Sequence, residues 1–384
     1  TVNFNADKSL QMDGTLIAKG TSASPITFTG GQDAFTGATA KWAYILFNDS
    51  SIDAAYNSST GDYASGSIME YCTVEYAGGA SVSDNGAIRL NNAHPLINYC
   101  TIKNNSAPGI YAYNISGTLR ITNNTITDNK GSNGAGVYVS HSSGGATTIS
   151  GNTIKNNTAS YYGGGIYTYY STVTLTNNII SGNTASYGGG GIYTSSGTVT
   201  LTNNIISGNT ASSEGGGIYT YYSTVTLTNN IISGNTASYG GGGIYTSSGT
   251  VTLTNNIISG NTASSDGGGI YTYYSTVTLT NNTISGNTAK NAAAVYYAGY
   301  DGKDFKYNTI TGNTATDSSD TYAVYVNSYP LINYNNIYGN TATYELWFDK
   351  SQGSANLNAK DNWWGSSDET AVQDKIYDGI DSST

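Results

Sequence analysis

Acid–base and metal chemistry need ionisable side chains that converge, and the middle of this chain offers almost none. Between Asn156 and Ala289 the only charged residues are Glu214 and Asp266. Two strand spacings would separate them by roughly 10 Å, a distance at which carboxylates can flank a glycosidic bond. Neither has a basic neighbour in sequence, so both read as solvated loop acids. The densest acidic patch is Asp301 and Asp304 in YDGKDF, with Asp317 and Asp320 in TDSSD. Hard carboxylate oxygens on adjacent turns suit Ca2+, but Lys303 and Lys306 interleave with them, and turn-forming aspartates are the better reading. The sequence therefore assigns no catalytic residue, metal or cofactor, with Ca2+ at these four aspartates as the alternative. His94 and His141 stand alone, without the partners that metal binding or nucleophile activation requires, and read as surface-loop residues. Cys72 in MEYCTVEY and Cys100 in INYCTIKN occupy the same place in consecutive units. Stacked units would bring their Cα atoms to about 5 Å, within disulfide range. The pair is either a bridge or two reduced, inward-facing thiols.

These residues are carried by an internal repeat. Residues 163–188 read GGGIYTYYSTVTLTNNIISGNTASYG, and residues 189–214 read GGGIYTSSGTVTLTNNIISGNTASSE. Residues 215–240 repeat the first block unchanged, 241–266 repeat the second with Asp266 for Glu214, and a fifth copy decays after Asn281. The unit is 26 residues, and alternating units make a 52-residue super-repeat. NNTITDN (123–129), GNTIKNN (151–157), NTITGN (308–313) and NNIYGN (335–340) are degenerate copies. The chain therefore divides as one domain over 1–384: degenerate coils over 1–105, regular coils over 106–292 with the near-perfect copies at 163–292, degenerate coils over 293–360, and a closing segment over 361–384.

Composition narrows the class. Charged residues make up 10% of the chain, against about 25% in an ordinary soluble domain. A net charge of −10 argues against nucleic acid, which needs clustered Lys and Arg. No apolar run approaches the ~20 residues of a membrane span. The chain opens on Thr1, and if it is secreted a leader has been removed.

A unit with period-two segments and no helical period is one turn of a β-solenoid. In TVTLTN, Val173 and Leu175 alternate with Thr172, Thr174 and Thr176, which puts Val and Leu inside and Thr outside. Ile166 points in and Tyr167 out. In NNIISGN, Ile180 is the constant apolar position and is placed inside, whereas Ile179 gives way to Thr283 and Thr125 and is placed outside. Asn-Asn, Gly-Asn and Gly-Gly-Gly mark corners that need positive φ. Roughly a dozen coils follow, each stabilised by its neighbours.

With these residues in place, the chain resembles the right-handed parallel β-helix repeat proteins of bacterial and archaeal cell surfaces, a fold shared with pectate lyases. LQMDGTLIAKGTSASPITFTG (10–30) resembles their opening coils, NNTITDN and GNTIKNN their coil consensus, and DNWWGSSDETAVQDKIYDG (361–379) their closing segment. The resemblance implies an all-β, right-handed parallel β-helix and an extracellular setting, which favours a Cys72–Cys100 bridge. A lyase of the pectate type would need Arg or Lys beside Ca2+-binding acids. Arg89 in IRLNN and Arg120 in LRITNN have no such neighbours, so the member expected is structural rather than enzymatic.

The expected working surface is made of ladders. Tyr111, Tyr138, Tyr167, Tyr193, Tyr219, Tyr245, Tyr271, Tyr296 and Tyr325 should form one outward column, with Arg89 and Trp347 at matching places beyond its ends. Outward Thr172, Thr198, Thr224, Thr250 and Thr276 align beside an exposed row of Ile179, Ile205, Ile231 and Ile257. A flat Thr array also resembles ice-binding solenoids. Sequons at Asn48, Asn57, Asn104, Asn114, Asn123, Asn156 and Asn281 permit glycosylation. The first strand, Thr1, Val2, Asn3 and Phe4, presents an unpaired edge, and IYDG resembles a lead-in to a strand that is absent. The expectation is a secreted cell-surface protein that assembles with itself into a sheath, layer or filament. A polysaccharide-binding adhesin, a polysaccharide lyase and an ice-binding protein are the alternatives, in that order.

Overall fold

The computed structural model describes residues 1–31, 41–80, 85–142, 144–300, 303–349 and 356–377. The chain is an all-β parallel solenoid of about 14 coils. Each regular coil has four short strands, as in Ile218–Tyr221, Thr224–Thr228, Ile231–Ser233 and Thr236–Ala237. In these copies the strand residues pair in parallel with their equivalents 26 positions on, so that Ile218 meets Ile244, Val225 meets Val251, Ile232 meets Ile258 and Ala237 meets Ala263. The inward set is Ile218, Thr220, Val225, Leu227, Ile232 and Ala237, all essentially without exposure. Burying each large aliphatic contributes about 1.5–3 kcal/mol. Thr224, Thr226 and Ile231 face outward. The fourth strand, Thr-Ala, has no counterpart in the sequence reading, because two residues are too few to show a period.

The coils fall into two compact units. In the first (Thr1–Ala185 with Ile192–Val199), Val2–Phe4 pairs with Ile26–Gly30, and the Phe4 ring stacks on Trp42 at 4.3 Å. An antiparallel pair, Ala55–Tyr56 with Tyr63–Ser65, departs from the coil pattern. Thr73 pairs with Thr101, which stacks Cys72 and Cys100 on consecutive coils. Both are buried free thiols that donate to backbone carbonyls, Cys72 to Ala18 O and Cys100 to Met69 O. Burial pushes the Cys100 thiol well above its usual range.

In the second unit (Ser186–Gly191 with Thr200–Thr384), the closing segment forms a short helix, Glu369–Gln373. The Asp368 carboxylate caps it by accepting from the Thr370 and Ala371 N–H groups. Ile376–Tyr377 then pairs with Tyr344–Phe348, and Tyr377 stacks on Trp347 at 3.6 Å. The first two residues of the IYDG run are thus themselves a strand on the preceding coil, and Asp378 and Gly379 lie outside the described residues. Among the described residues no helix is long and apolar enough to cross a membrane.

Candidate functional site

Within each unit the tyrosines have the expected register, with Arg89 opposite Tyr111 in the first and Tyr325 opposite Trp347 in the second. Their expected exposure is corrected. Tyr193, Tyr245, Tyr271 and Tyr325 are 7–9% exposed, and the other five are half-buried. Within each unit the rings contact one another at 4.1–5.2 Å between centroids. The glycine-rich turn folds over them: a Cβ on Gly188 would stand 2.4 Å from the Tyr219 ring, and one on Gly240 would stand 3.0 Å from Tyr271. Glycine is used there because a covering chain must approach an aromatic face closely. The column is a covered spine, and burial pushes the Tyr245, Tyr271 and Tyr325 hydroxyls well above the usual phenol range.

The exposed aromatics are others. Tyr169, Tyr221 and Tyr273 are 38–44% exposed, and their neighbours Tyr170, Tyr222 and Tyr274 are 59–61% exposed. Each adjacent pair packs edge to face at 4.4–4.6 Å. Alternate coils carry Ser195–Ser196 and Ser247–Ser248 instead. In the second unit this alternation leaves a groove of about 560 Å3 lined by Tyr222, Ser248, Gly249, Thr250, Tyr274 and Thr276 among others. Beside it, Thr224, Thr226 and Thr228 stand in register over Thr250, Thr252 and Thr254, and those over Thr276, Thr278 and Thr280. Farther round the coil, Ile179, Ile205, Ile231 and Ile257 are 38–45% exposed.

Asp266 accepts from the Ser265 hydroxyl, and burial raises its carboxyl above the usual range, whereas Glu214 is half-exposed. Arg89 is buried over the Tyr44 ring at 4.5 Å. Arg120 covers the Tyr56 ring at 3.7 Å and donates to Gly61 O. Burial, partly offset by that cation, pushes the Tyr56 hydroxyl up to about 12. Asp304 pairs with Lys306 at 2.7 Å and Asp317 with Lys290 at 3.4 Å. Asp320 is exposed, and Asp301 lies outside the described residues. Among the described residues no group of three His, Cys, Asp or Glu is placed to hold a metal.

His94 is corrected from a surface loop to a buried position, 5% exposed. Its Nδ1 lies 2.8 Å from the Asp53 carboxylate, and its Nε2 accepts from the Gly117 N–H. Those partners use both ring nitrogens in holding three chain segments together. His141 is half-buried, bonded to the Thr147 hydroxyl and the Thr172 N–H, and burial lowers its pKa. Of the sequons, Asn104, Asn114, Asn123, Asn156 and Asn281 sit exposed at corners with φ of 55–58°. Asn48 donates to Asp13, and the Asn57 side chain accepts from Ser59.

The family model described as "Right handed beta helix region" matches residues 16–154 and 135–306. The chain belongs to that right-handed β-helix family. No curated protein and no solved structure matches it. The fold occurs in enzymes and non-enzymes alike.

What the sequence reading missed in this β-helix is the role of its second asparagines. In NN, the first Asn is exposed at positive φ, as at Asn255, φ 57°. The second is buried and forms a ladder. Asn204, Asn230, Asn256, Asn282, Asn308, Asn335 and Asn362 bond in sequence, each donating from its backbone N–H and Nδ2 to the next Oδ1. The Gly-Asn asparagines make a second ladder, Asn209 through Asn340, which ends on the carboxylate of Glu345. The signal in the sequence was that the second Asn persists at Asn308, Asn335 and Asn362, where the residue before it has become Tyr307, Tyr334 and Asp361.

Glu345 is 5% exposed, and burial holds its carboxyl above the usual carboxylate range, partly offset by the Asn340 donors. Its stabilising contribution is therefore full below the unfolded carboxylate value and is lost as pH rises through the raised folded value. Glu345→Gln stays neutral and still accepts from Asn340. Melting curves of parent and variant from about pH 4 to about pH 7 should converge at the acid end and separate toward neutral, with the variant the more stable.

Proposed function

We propose that this β-helix is a non-enzymatic extracellular scaffold of the cell surface that holds polysaccharide on its uncharged tyrosine- and hydroxyl-bearing side. The observation that carries this reading is the pair of exposed tyrosines recurring on every second coil beside rows of threonine. Tyr222 and Tyr274 keep φ of 45–46°, where Gly would sit without the strain of roughly 1–2 kcal/mol that a Cβ brings and Asn would offset part of it by local hydrogen bonding. A strained backbone that presents a large ring to solvent is a mark of use rather than of packing. Sugar rings offer an apolar C–H face and a hydroxyl edge, which match an aromatic wall and a threonine floor.

A second reading, self-assembly into a sheath, layer or filament, is favoured by the exposed Ile205, Ile231 and Ile257, which pair in register. One set of measurements separates the two. Purified protein should co-sediment with insoluble neutral polysaccharide and appear as dispersed particles in negative stain. Ordered tubes or sheets without polysaccharide, and no co-sedimentation, would give the assembly reading first place.

A further inference from the structure

Resting on that reading, we propose that the groove between Tyr222 and Tyr274 is the binding subsite, and that its ligand is a neutral, extended glycan lying along the coil-stacking direction. The two rings stand two coils apart, roughly 10 Å, with Ser248 on the coil between. Each is braced edge-to-face by its neighbour, Tyr221 at 4.6 Å and Tyr273 at 4.4 Å, so little side-chain freedom remains to be lost on binding. Gly249, which has no side chain, lines the groove beside Ser248. Other tyrosines at positive φ differ in a way that matters. Tyr71 stacks directly on Tyr99 at 4.9 Å, and Tyr307 on Tyr334 at 5.4 Å, which leaves no gap. At Tyr222 and Tyr274 the intervening serine coil opens a space one ring thick. Thr250 and Thr276 line it with hydroxyls able to donate and accept, and among the described residues none that lines it is charged. That lining selects a neutral polar chain over an acidic polysaccharide. The period of two coils matches a polymer whose alternate sugars face the same way. The same Tyr–Ser alternation occurs 52 residues earlier in the sequence, at Tyr170 and Ser196.

The repeat supplies its own test variants. Tyrosine already occupies this corner on alternate coils, at the same positive φ as Ser196 (54°) and Ser248 (55°). The double variant Ser196→Tyr, Ser248→Tyr should therefore fold while filling the gaps. Tyr170→Ser, Tyr222→Ser and Tyr274→Ser together remove the walls. Tyr239→Ser, on a different corner where Ser213 stands in the preceding copy, is the control. Affinity electrophoresis through a soluble mixed-linkage β-glucan should show both multiple variants binding at least tenfold more weakly than the parent, with Tyr239→Ser unchanged. Polygalacturonate should not retard the parent. If filling the gaps leaves retardation by β-glucan at the parental level, the groove is not the subsite and the broader polysaccharide reading stands. If polygalacturonate retards the parent and the filled variant loses that too, the ligand is not neutral. A parent that neither the gel nor co-sedimentation shows to bind any polysaccharide overturns both.

Discussion

Asn256→Ala should destabilise the protein by at least about 3 kcal/mol, while the same change at the adjacent Asn255 should cost about 1 kcal/mol. Asn256 donates through Nδ2 to Leu227 O, Thr254 O and Asn282 Oδ1, and its Oδ1 accepts from the N–H and Nδ2 of Asn230. Alanine withdraws all of these inside the coil. The Asn230 N–H and the Leu227 carbonyl lose their side-chain partner at a site that water does not reach, and each buried orphan costs about 1–3 kcal/mol. Asn255 is exposed, and its side chain only accepts from the exposed Asn281 amide at 2.7 Å. Its replacement loses mainly the ease with which asparagine takes positive φ. Chemical denaturation midpoints of the two variants are the measurement. Equal losses would mean that the ladder is no stronger than a surface turn. Asn256→Asp is the sharper variant, because it keeps shape and acceptors but turns a carboxylate oxygen toward two carbonyls.

This contrast also marks where the sequence was readable. Alternation located Val173 and Leu175 inside and Thr174 outside, and comparison among copies separated inward Ile180 from outward Ile179, because only a core position must stay apolar in every coil. Register was legible for the same reason: identical residues stack when the repeat length is constant. The tyrosine column was misread because alternation says which face of a strand a residue takes, not whether another part of the coil folds over that face. The Gly-Gly-Gly runs were read as corners, and the glycines just before them, Gly188 and Gly240, which let the turn lie against the rings, were not read at all. Both NN asparagines were read as turn formers, although one turn residue would suffice, and the surplus went inside as a hydrogen-bond ladder. His94 was misplaced because its partners, Asp53 and Gly117, are brought to it only by stacking. The groove was invisible to residue-by-residue reading, since it depends on what alternate coils omit.

The last expected result concerns why the period is two coils rather than one. Deleting residues 215–266 should leave a protein that folds and melts within a few degrees of the parent, since a solenoid loses little beyond the coils removed. Deleting only 241–266 should be more harmful. At the corner after the tyrosine pairs, Ser171, Gly197, Ser223, Gly249 and Ser275 alternate. A Cβ on Gly197 would stand 2.5 Å from Ser171 O, and one on Gly249 2.5 Å from Ser223 O. Removing a single coil of the Gly type sets Ser275 on Ser223 with a side chain where the structure has none. It costs about 1–3 kcal/mol of overpacking despite keeping 26 more residues than the larger deletion. A cut of half a unit, residues 254–266, fails altogether, because Gly269 would fall where Asn256 belongs and Tyr271 where Ile258 belongs, and both the ladder and the core column are broken. Thermal melts of the three deletions give the ranking directly. If the 26-residue deletion is as stable as the 52-residue one, the two-coil period has no steric origin, and the tyrosine–serine alternation must be maintained by what binds to it alone.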